Sequence, residues 1–424
     1  MVKLPLCETI ARYMWNHTTT RVAPSISIHG AFSYSHVTEV ASRSGTMQAI
    51  PRQATVMNLE IKEDAGTKSD MPDSSASKVN VLGWLEQIDP GSHRRIKGLR
   101  LITAYGIAAL LGTMRGQGAS SSVTLSSLAG GFALWASVSE ARSNRADSSR
   151  DLFLLCLAAA FGAVTMIAFT PLLGGPGHPG PELVLVVGSF MVGFLRRHGV
   201  LGAGIGSQIY IGQLLAYTSG LTRGDLGMVA IAGLISALAA IVPRVLSGPA
   251  EKPMLAPAAP PVAGVLGSSP GLVMGLQSAL AALVVIGANY LLGLEESVWA
   301  ITACTYVIAG SASGTTDRVR RRIIGTVVGV PLGLACMPIA ENFPLLIWIA
   351  AAAAMIIYAI ALPDRYDIAC GAFAFALVVT LAAGGVHSPR LLDARLWETI
   401  IGSTLGLAAA TLVLPLRPAR EVAA

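Results

Sequence analysis

From about residue 98 to residue 416 the chain alternates apolar runs with short polar breaks, and each run is close to the ~20 residues that carry a helix across a bilayer. Only helices and closed barrels satisfy their backbone in hydrocarbon, and runs of this length and continuity select helices. The composition agrees. Hydrophobic residues make up 53% of the chain and charged residues 13%, and the mean hydropathy is +0.61. Those values exclude an ordinary soluble domain. The reading is an all-α integral membrane protein.

Twelve runs can be counted, in two sets of six. The first set covers roughly 98–115, 120–139, 150–172, 182–196, 200–218 and 226–246. The second covers roughly 272–293, 297–314, 322–340, 343–362, 367–386 and 397–416. Between them, residues 247–270 are rich in proline and alanine and suit an extended cytoplasmic linker. This gives a first membrane repeat at 98–246 and a second at 271–418, closed by a short tail at 419–424. Residues 1–97 are polar, lack a run long enough to span a bilayer over most of their length, and read as a disordered cytoplasmic tail. Met57 offers an alternative start that keeps everything downstream.

Charge placement fixes an orientation. With the N-terminus inside, the cytoplasmic breaks hold Arg142, Arg145, Arg150, Arg196, Arg197, Arg244, Lys252, Arg318, Arg320, Arg321, Arg322, Arg365, Arg417 and Arg420. The opposite breaks hold Arg115, Arg223, Arg390 and Arg395. Fourteen cations against four is the bias that places cationic loops in the cytoplasm, with both termini there too. The net charge of +6 is explained by topology and requires no nucleic acid. The two sets also align. Residues 148–166 lie over residues 319–337 at a shift of 171, placing Arg150 on Arg321 and Gly162 on Gly333. Residues 227–246 lie over 399–418 at a shift of 172, placing Pro243 on Pro415. Two six-helix halves of one orientation make a parallel repeat about an axis along the membrane normal.

The stretch TTDRVRRRIIGTVVGVPLG (315–333) runs a cationic cluster, Arg318, Arg320, Arg321 and Arg322, straight into glycines at every fourth position, Gly325, Gly329 and Gly333. As topology, the arginines stop at the membrane surface and the glycines let a neighbouring helix approach closely. As chemistry, guanidinium groups beside a helix N-terminus attract a carboxylate, or equally the headgroup of an anionic lipid. Polar residues within runs are the candidates for a substrate cavity: Gln208 and Gln213 in the first half, and Asn289, Tyr290, Thr302 and Thr305 in the second. Interhelical hydrogen bonds explain each of them as well. For a proton site, Asp367 and Glu398 stand closest to the hydrocarbon among the span-end acids, which include Glu140, Asp151, Glu295, Glu296 and Asp364. Neither the seven histidines nor the glycine-rich stretch 199–208 shows metal-ligand or nucleotide-binding spacing, so no cofactor, metal or enzymatic activity is expected.

Residues 298–333 resemble the membrane repeat of the fusaric acid resistance family, its aromatic-acid exporter relatives, and plant malate-channel membrane domains. The resemblance rests on a helix bearing Trp299, a short polar loop, and an R-x-x-G-T-x-x-G signature at Arg322, Gly325, Thr326 and Gly329. A final helix, WETIIGSTLGLAAATLVLPLRP (397–418), ends in proline as that family's does. The resemblance covers about 270–418. In the first half, Asp151, Leu154, Leu155 and Ala158 fall on the signature positions, so the motif is lost there. The resemblance implies a bacterial inner-membrane transporter, a secondary exporter of aromatic or other weak organic acid anions. The alternatives are an organic-anion channel and a non-transport scaffold for envelope assembly. Proton coupling and assembly into a homo-oligomer are compatible with it, and neither follows from the residues.

Overall fold

The computed structural model describes Asp89 and residues 92–418, apart from 117, 143, 176–179, 248–261, 264–268, 293–296, 363, 384–388 and 414. Most of the expected tail, most of the linker, the C-terminal tail and the pair Glu295 and Glu296 therefore lie outside the described residues, while His93–Lys97, expected as the end of a disordered tail, open the first helix. From Ser92 onward these residues belong to one compact unit.

The elements are α1 (His93–Arg115), α2 (Ala119–Ser139), α3 (Arg145–Phe169), α4 (Glu182–Phe194), α5 (Gly199–Thr218) and α6 (Leu226–Leu246), followed by α7 (Pro270–Leu292), α8 (Ser297–Val307), α9 (Ala312–Ala335), α10 (Met337–Asn342), α11 (Pro344–Ala361), α12 (Tyr366–Ala383) and α13 (Pro389–Leu412). Among the described residues, eight helical stretches are long and apolar enough to cross a membrane. The remaining non-helical pairing is minimal: Val262–Ala263 lies antiparallel to Arg417–Pro418.

Hydropathy locates these helices well but misses where some begin. The run expected to open at 322 belongs to a helix that starts at Ala312, because the Ser311 side chain accepts the Gly314 N–H and caps it. The arginine cluster therefore lies within a helix, spread around its faces, rather than in a loop. Likewise α13 begins at Pro389, eight residues ahead of its apolar run. The α8 helix is shorter than its run, spans only eleven residues, and buries every one of them.

The principal packing pairs of one half recur in the other. In the first, α1 packs on α2 and α6, α3 on α5 and α6, α2 on α6, and α4 on α5. In the second, α7 packs on α8 and α13, α9 on α12 and α13, α8 on α13, and α11 on α12. The largest contacts across the halves are α4 with α7 and α1 with α11. Glycine sets the closest of these approaches. A Cβ at Gly162 would overlap the Ile209 carbonyl and one at Gly212 the Ala159 carbonyl, so α3 and α5 touch backbone to backbone. A Cβ at Gly325 or Gly329 would overlap the carbonyl of Asp367 or Gly371, giving α9 and α12 the same intimacy. Small residues do this where no hydrophobic force draws helices together.

Aromatic side chains knit the halves. Trp135 of α2 meets Tyr358 of α11 and Phe373 of α12 edge-on, at centroid distances of 6.3 and 5.8 Å. Tyr306 of α8 meets Tyr210 of α5 at 5.7 Å. Polar rungs accompany the second contact: Tyr210 Oη with Thr302 Oγ1 at 2.9 Å, Thr305 Oγ1 donating to Ser189 Oγ at 2.9 Å, and Ser207 Oγ with Tyr306 Oη at 3.3 Å.

Most of the cations gather at one end of the bundle and find partners there. Arg100 pairs with Glu140 at 3.3 Å, and Arg142 and Arg150 with Asp151 at 2.9 and 3.2 Å. Arg94 pairs with Asp364 at 2.7 Å. Arg244, 1% exposed, donates to Ser148 Oγ at 2.7 Å and to the Arg142 carbonyl at 3.2 Å. Arg196 and Arg318 both donate to the Ile308 carbonyl.

Candidate functional site

A narrow cavity lies in the second half between α8, α9, α12 and α13. It is lined by Trp299, Thr302, Arg322, Thr326, Val330, Cys370, Phe373, Ala374, Leu377, Val378, Arg395 and Thr399. The space open to water-sized centres is about 30 Å³. That holds one or two waters and must widen to admit an organic acid.

The signature on α9 splits by helical geometry into two faces. Arg322, Thr326 and Val330, four residues apart, line the cavity, while Gly325 and Gly329 press against α12. The glycines bring α12 close, and α12 supplies Cys370, Phe373, Ala374, Leu377 and Val378 to the wall. Arg322 stands ten residues into α9, about 15 Å along its axis from Ala312. It is 7% exposed, and one of its terminal nitrogens donates to Tyr366 Oη at 3.4 Å. No carboxylate pairs with it among the described residues, and its Nε lacks a hydrogen-bond partner. A buried guanidinium without an anionic partner is costly, and an incoming carboxylate relieves that cost.

Opposite it, Arg395 is 4% exposed, with its guanidinium over the indole ring of Trp299. This arrangement holds a cation against an aromatic face. Thr326 and Thr399 add two hydroxyls to the lining, whereas the Thr302 hydroxyl is engaged by the Val298 carbonyl and Tyr210. Two guanidinium groups, two hydroxyls and the rings of Trp299 and Phe373 can together hold an anion that carries an apolar or aromatic body.

The other expected residues are dispersed. Arg318 reaches the Ile308 carbonyl, and Arg320 is exposed. Arg321 is bound to Asp317 and to the Asp364 carbonyl at the bundle's end. Thr305 faces Ser189 across the seam between the halves. In the first half, Gln208 donates to Ser139 Oγ at 3.1 Å and Gln213 to Thr165 Oγ1 at 3.3 Å. Tyr290 is 78% exposed, whereas Asn289 donates to Glu182. Asp367 is partly exposed and joined to Arg365 at 2.8 Å, a hydrogen bond that holds the Arg365 guanidinium above its ordinary pKa. Glu398 is buried on α13, one turn from Arg395.

Two residues were missed. Arg395 falls ahead of the apolar run, and the signal that would have found it is the polar stripe Arg395, Thr399 and Ser403 at four-residue spacing. Glu182 opens α4 and reads in sequence as an ordinary acid in a helix's first turn, yet it is 4% exposed.

Eight helical stretches of bilayer length, with an arginine-lined cavity among α8, α9, α12 and α13, define a multi-pass membrane protein with an internal polar site. The family model described as fusaric acid resistance protein-like matches residues 279–409, which contain that whole cavity, and the resemblance seen in the motif holds over that stretch. No curated protein and no solved structure matches the chain.

Proposed function

We propose that this chain is a secondary transporter that exports aromatic or other weak organic acid anions across a bacterial inner membrane. The substrate carboxylate sits between Arg322 and Arg395, with its body against Trp299 and Phe373. The observation that carries the reading is Arg322, buried deep in the bundle, facing a cavity, with no carboxylate partner among the described residues. The family match adds support, since it covers the cavity-bearing segment of a membrane protein likened to a resistance protein.

The architecture that goes with this reading is twelve membrane helices in two parallel six-helix repeats. Its support is that the principal helix pairs of the first half have counterparts in the second, and that the two largest cross-contacts exchange under a two-fold axis. Trp135 and Tyr306, separated by the same 171 residues that align the two sequences, each reach into the opposite half. The cation-rich end then faces the cytoplasm, with both termini on that side.

The test is flux of radiolabelled benzenesulfonate, whose permanent charge prevents leakage as a free acid, in proteoliposomes carrying the full chain. Export predicts saturable flux that aromatic carboxylates compete for and that Arg322→Gln reduces about 100-fold. Wild-type flux no greater than that of protein-free vesicles refutes the reading. Flux that follows voltage alone, with no response to a pH gradient, replaces the exporter by a channel.

A further inference from the structure

The seam between the halves holds a second buried group that the cavity does not use. Glu182 opens α4 at the end of the bundle opposite the arginine-rich face. Its carboxylate accepts hydrogen bonds from three residues on three helices: from Ser297 Oγ at 2.8 Å, from Tyr217 Oη at 3.0 Å, and from Asn289 Nδ2 at 3.2 and 3.3 Å to its two oxygens. These donors are all neutral. Glu140 and Asp151, by contrast, are buried against arginines and keep fixed ion pairs.

Neutral hydroxyl partners give this site a property that an arginine would remove. The Tyr217 and Ser297 hydroxyls donate to a carboxylate and, on rotating, accept from a carboxylic acid, while Asn289 keeps donating to the carbonyl oxygen. The shell therefore satisfies either charge state without rebuilding. Around Glu182, α5 contributes Tyr217, α7 Asn289 and α8 Ser297, and the last turns of α3 carry no titratable residue. Arg196, Arg197 and His198 sit at the far end of α4, and Tyr290 is exposed. His178, Glu295 and Glu296 in the adjoining connections lie outside the described residues.

Ser297 also ties this carboxyl to the cavity. The α8 helix that binds Glu182 through Ser297 carries Trp299 and Thr302 in the cavity wall within the next turns. A change of charge at Glu182 alters the hold on the N-terminus of α8, and with it the position of the Trp299 ring beneath Arg395.

We propose that Glu182 is the coupling site of this transporter, binding a proton on one face of the membrane and releasing it to water on the other, and that α8 links that exchange to the anion cavity. The proposal rests on the reading of the chain as an anion transporter. It is tested in proteoliposomes of the full chain with benzenesulfonate, comparing exchange at equal pH with uphill accumulation under a gradient of about one pH unit, which one coupled proton converts to about a tenfold ratio. Wild type is expected to do both. Glu182→Gln, which keeps the shape and hydrogen bonding, is expected to exchange within about twofold of wild type while accumulation falls from about tenfold to none.

Accumulation by Glu182→Gln equal to wild type overturns the proposal, and so does a parallel loss of exchange, which assigns the residue to packing. If wild type itself neither exchanges nor accumulates, the transport reading fails by itself. The carboxyl is then read directly from the pH-induced infrared difference spectrum of the purified protein. A carboxylic-acid carbonyl band that vanishes in Glu182→Gln upholds a proton-exchanging site. A band unchanged there, or lost instead in Glu295→Gln or Glu296→Gln, removes it.

Discussion

The two halves share a packing scheme and divide in what they do with charge. In the first, Asp151 occupies the position that aligns with Arg322, and it is closed by Arg142 and Arg150 while Arg244 is tied to Ser148 and the Arg142 carbonyl. Nearby Phe132, Leu134 and Trp135 are fully packed, at most 2% exposed. In the second, the aligned Arg322 has Tyr366 and, among the described residues, no carboxylate, and it faces a cavity. On the proposed reading, one half carries the working site while the other settles its charges internally and braces the pair. The family match falls on the half with the open charge.

That division can be broken or sharpened by substitution. The largest effects belong to what the halves share. Gly212→Leu and Gly329→Leu each force apart helices in backbone contact, at a cost of about 3 kcal/mol or more, and should both abolish monodisperse protein in detergent size-exclusion chromatography. Tolerance of one and not the other would mean that the halves are not packed alike.

Next come the residues of the working half. Arg322→Gln should weaken binding of an aromatic carboxylate about 100-fold by isothermal titration, with the elution profile unchanged. Trp299→Leu should cost about tenfold for aromatic anions and little for aliphatic ones, since stacking and the cation contact are each worth about 1 kcal/mol. Equal losses for both ligand classes would remove the ring from recognition.

The bracing half should answer differently. Asp151→Asn leaves Arg142 and Arg150 partly solvated, at 39% and 60% exposure, so a loss of about 1–2 kcal/mol is expected, seen as a drop of a few degrees in Tm with affinity within about twofold. A large loss of affinity at unchanged Tm would place the first half in the site. Smallest of all, Arg321→Ala should change flux less than about twofold and only at low salt, because its pair with Asp317 is exposed on both sides.

The sequence carried the fold further than the site. Apolar run length placed the helices within a few residues wherever hydropathy and helix coincide, as in 226–246, whereas the packing of α3 on α5 and of α9 on α12 is visible only in the structure. It erred where a cap rather than hydrophobicity starts the helix, at Ser311, and at α13, which opens at Pro389 ahead of its apolar run. The motif residues Trp299, Arg322 and Thr326 proved to share one cavity because their spacing on α8 and α9 is helical. Arg318, Arg320 and Arg321 carry the same charge on other faces of α9, a difference that hydropathy and charge counting do not register. Glu182 was invisible because its burial depends on Tyr217, Asn289 and Ser297, which arrive from 35 to 115 residues away.

The enclosure of α8 bears on how the chain is made. Eleven residues rise only about 16 Å, roughly half the hydrocarbon thickness, so this helix has little claim on the bilayer by itself. Its Thr302 and Thr305 hydroxyls donate back to the Val298 and Ile301 carbonyls, but the Tyr306 hydroxyl is met by Ser207 of α5, which is synthesised about a hundred residues earlier. Biogenesis thus acquires an order. The first half must be in place before α8 leaves the insertion machinery, and residues 271–424 expressed alone would present Tyr306 and the buried faces of α8 to lipid or to a chaperone.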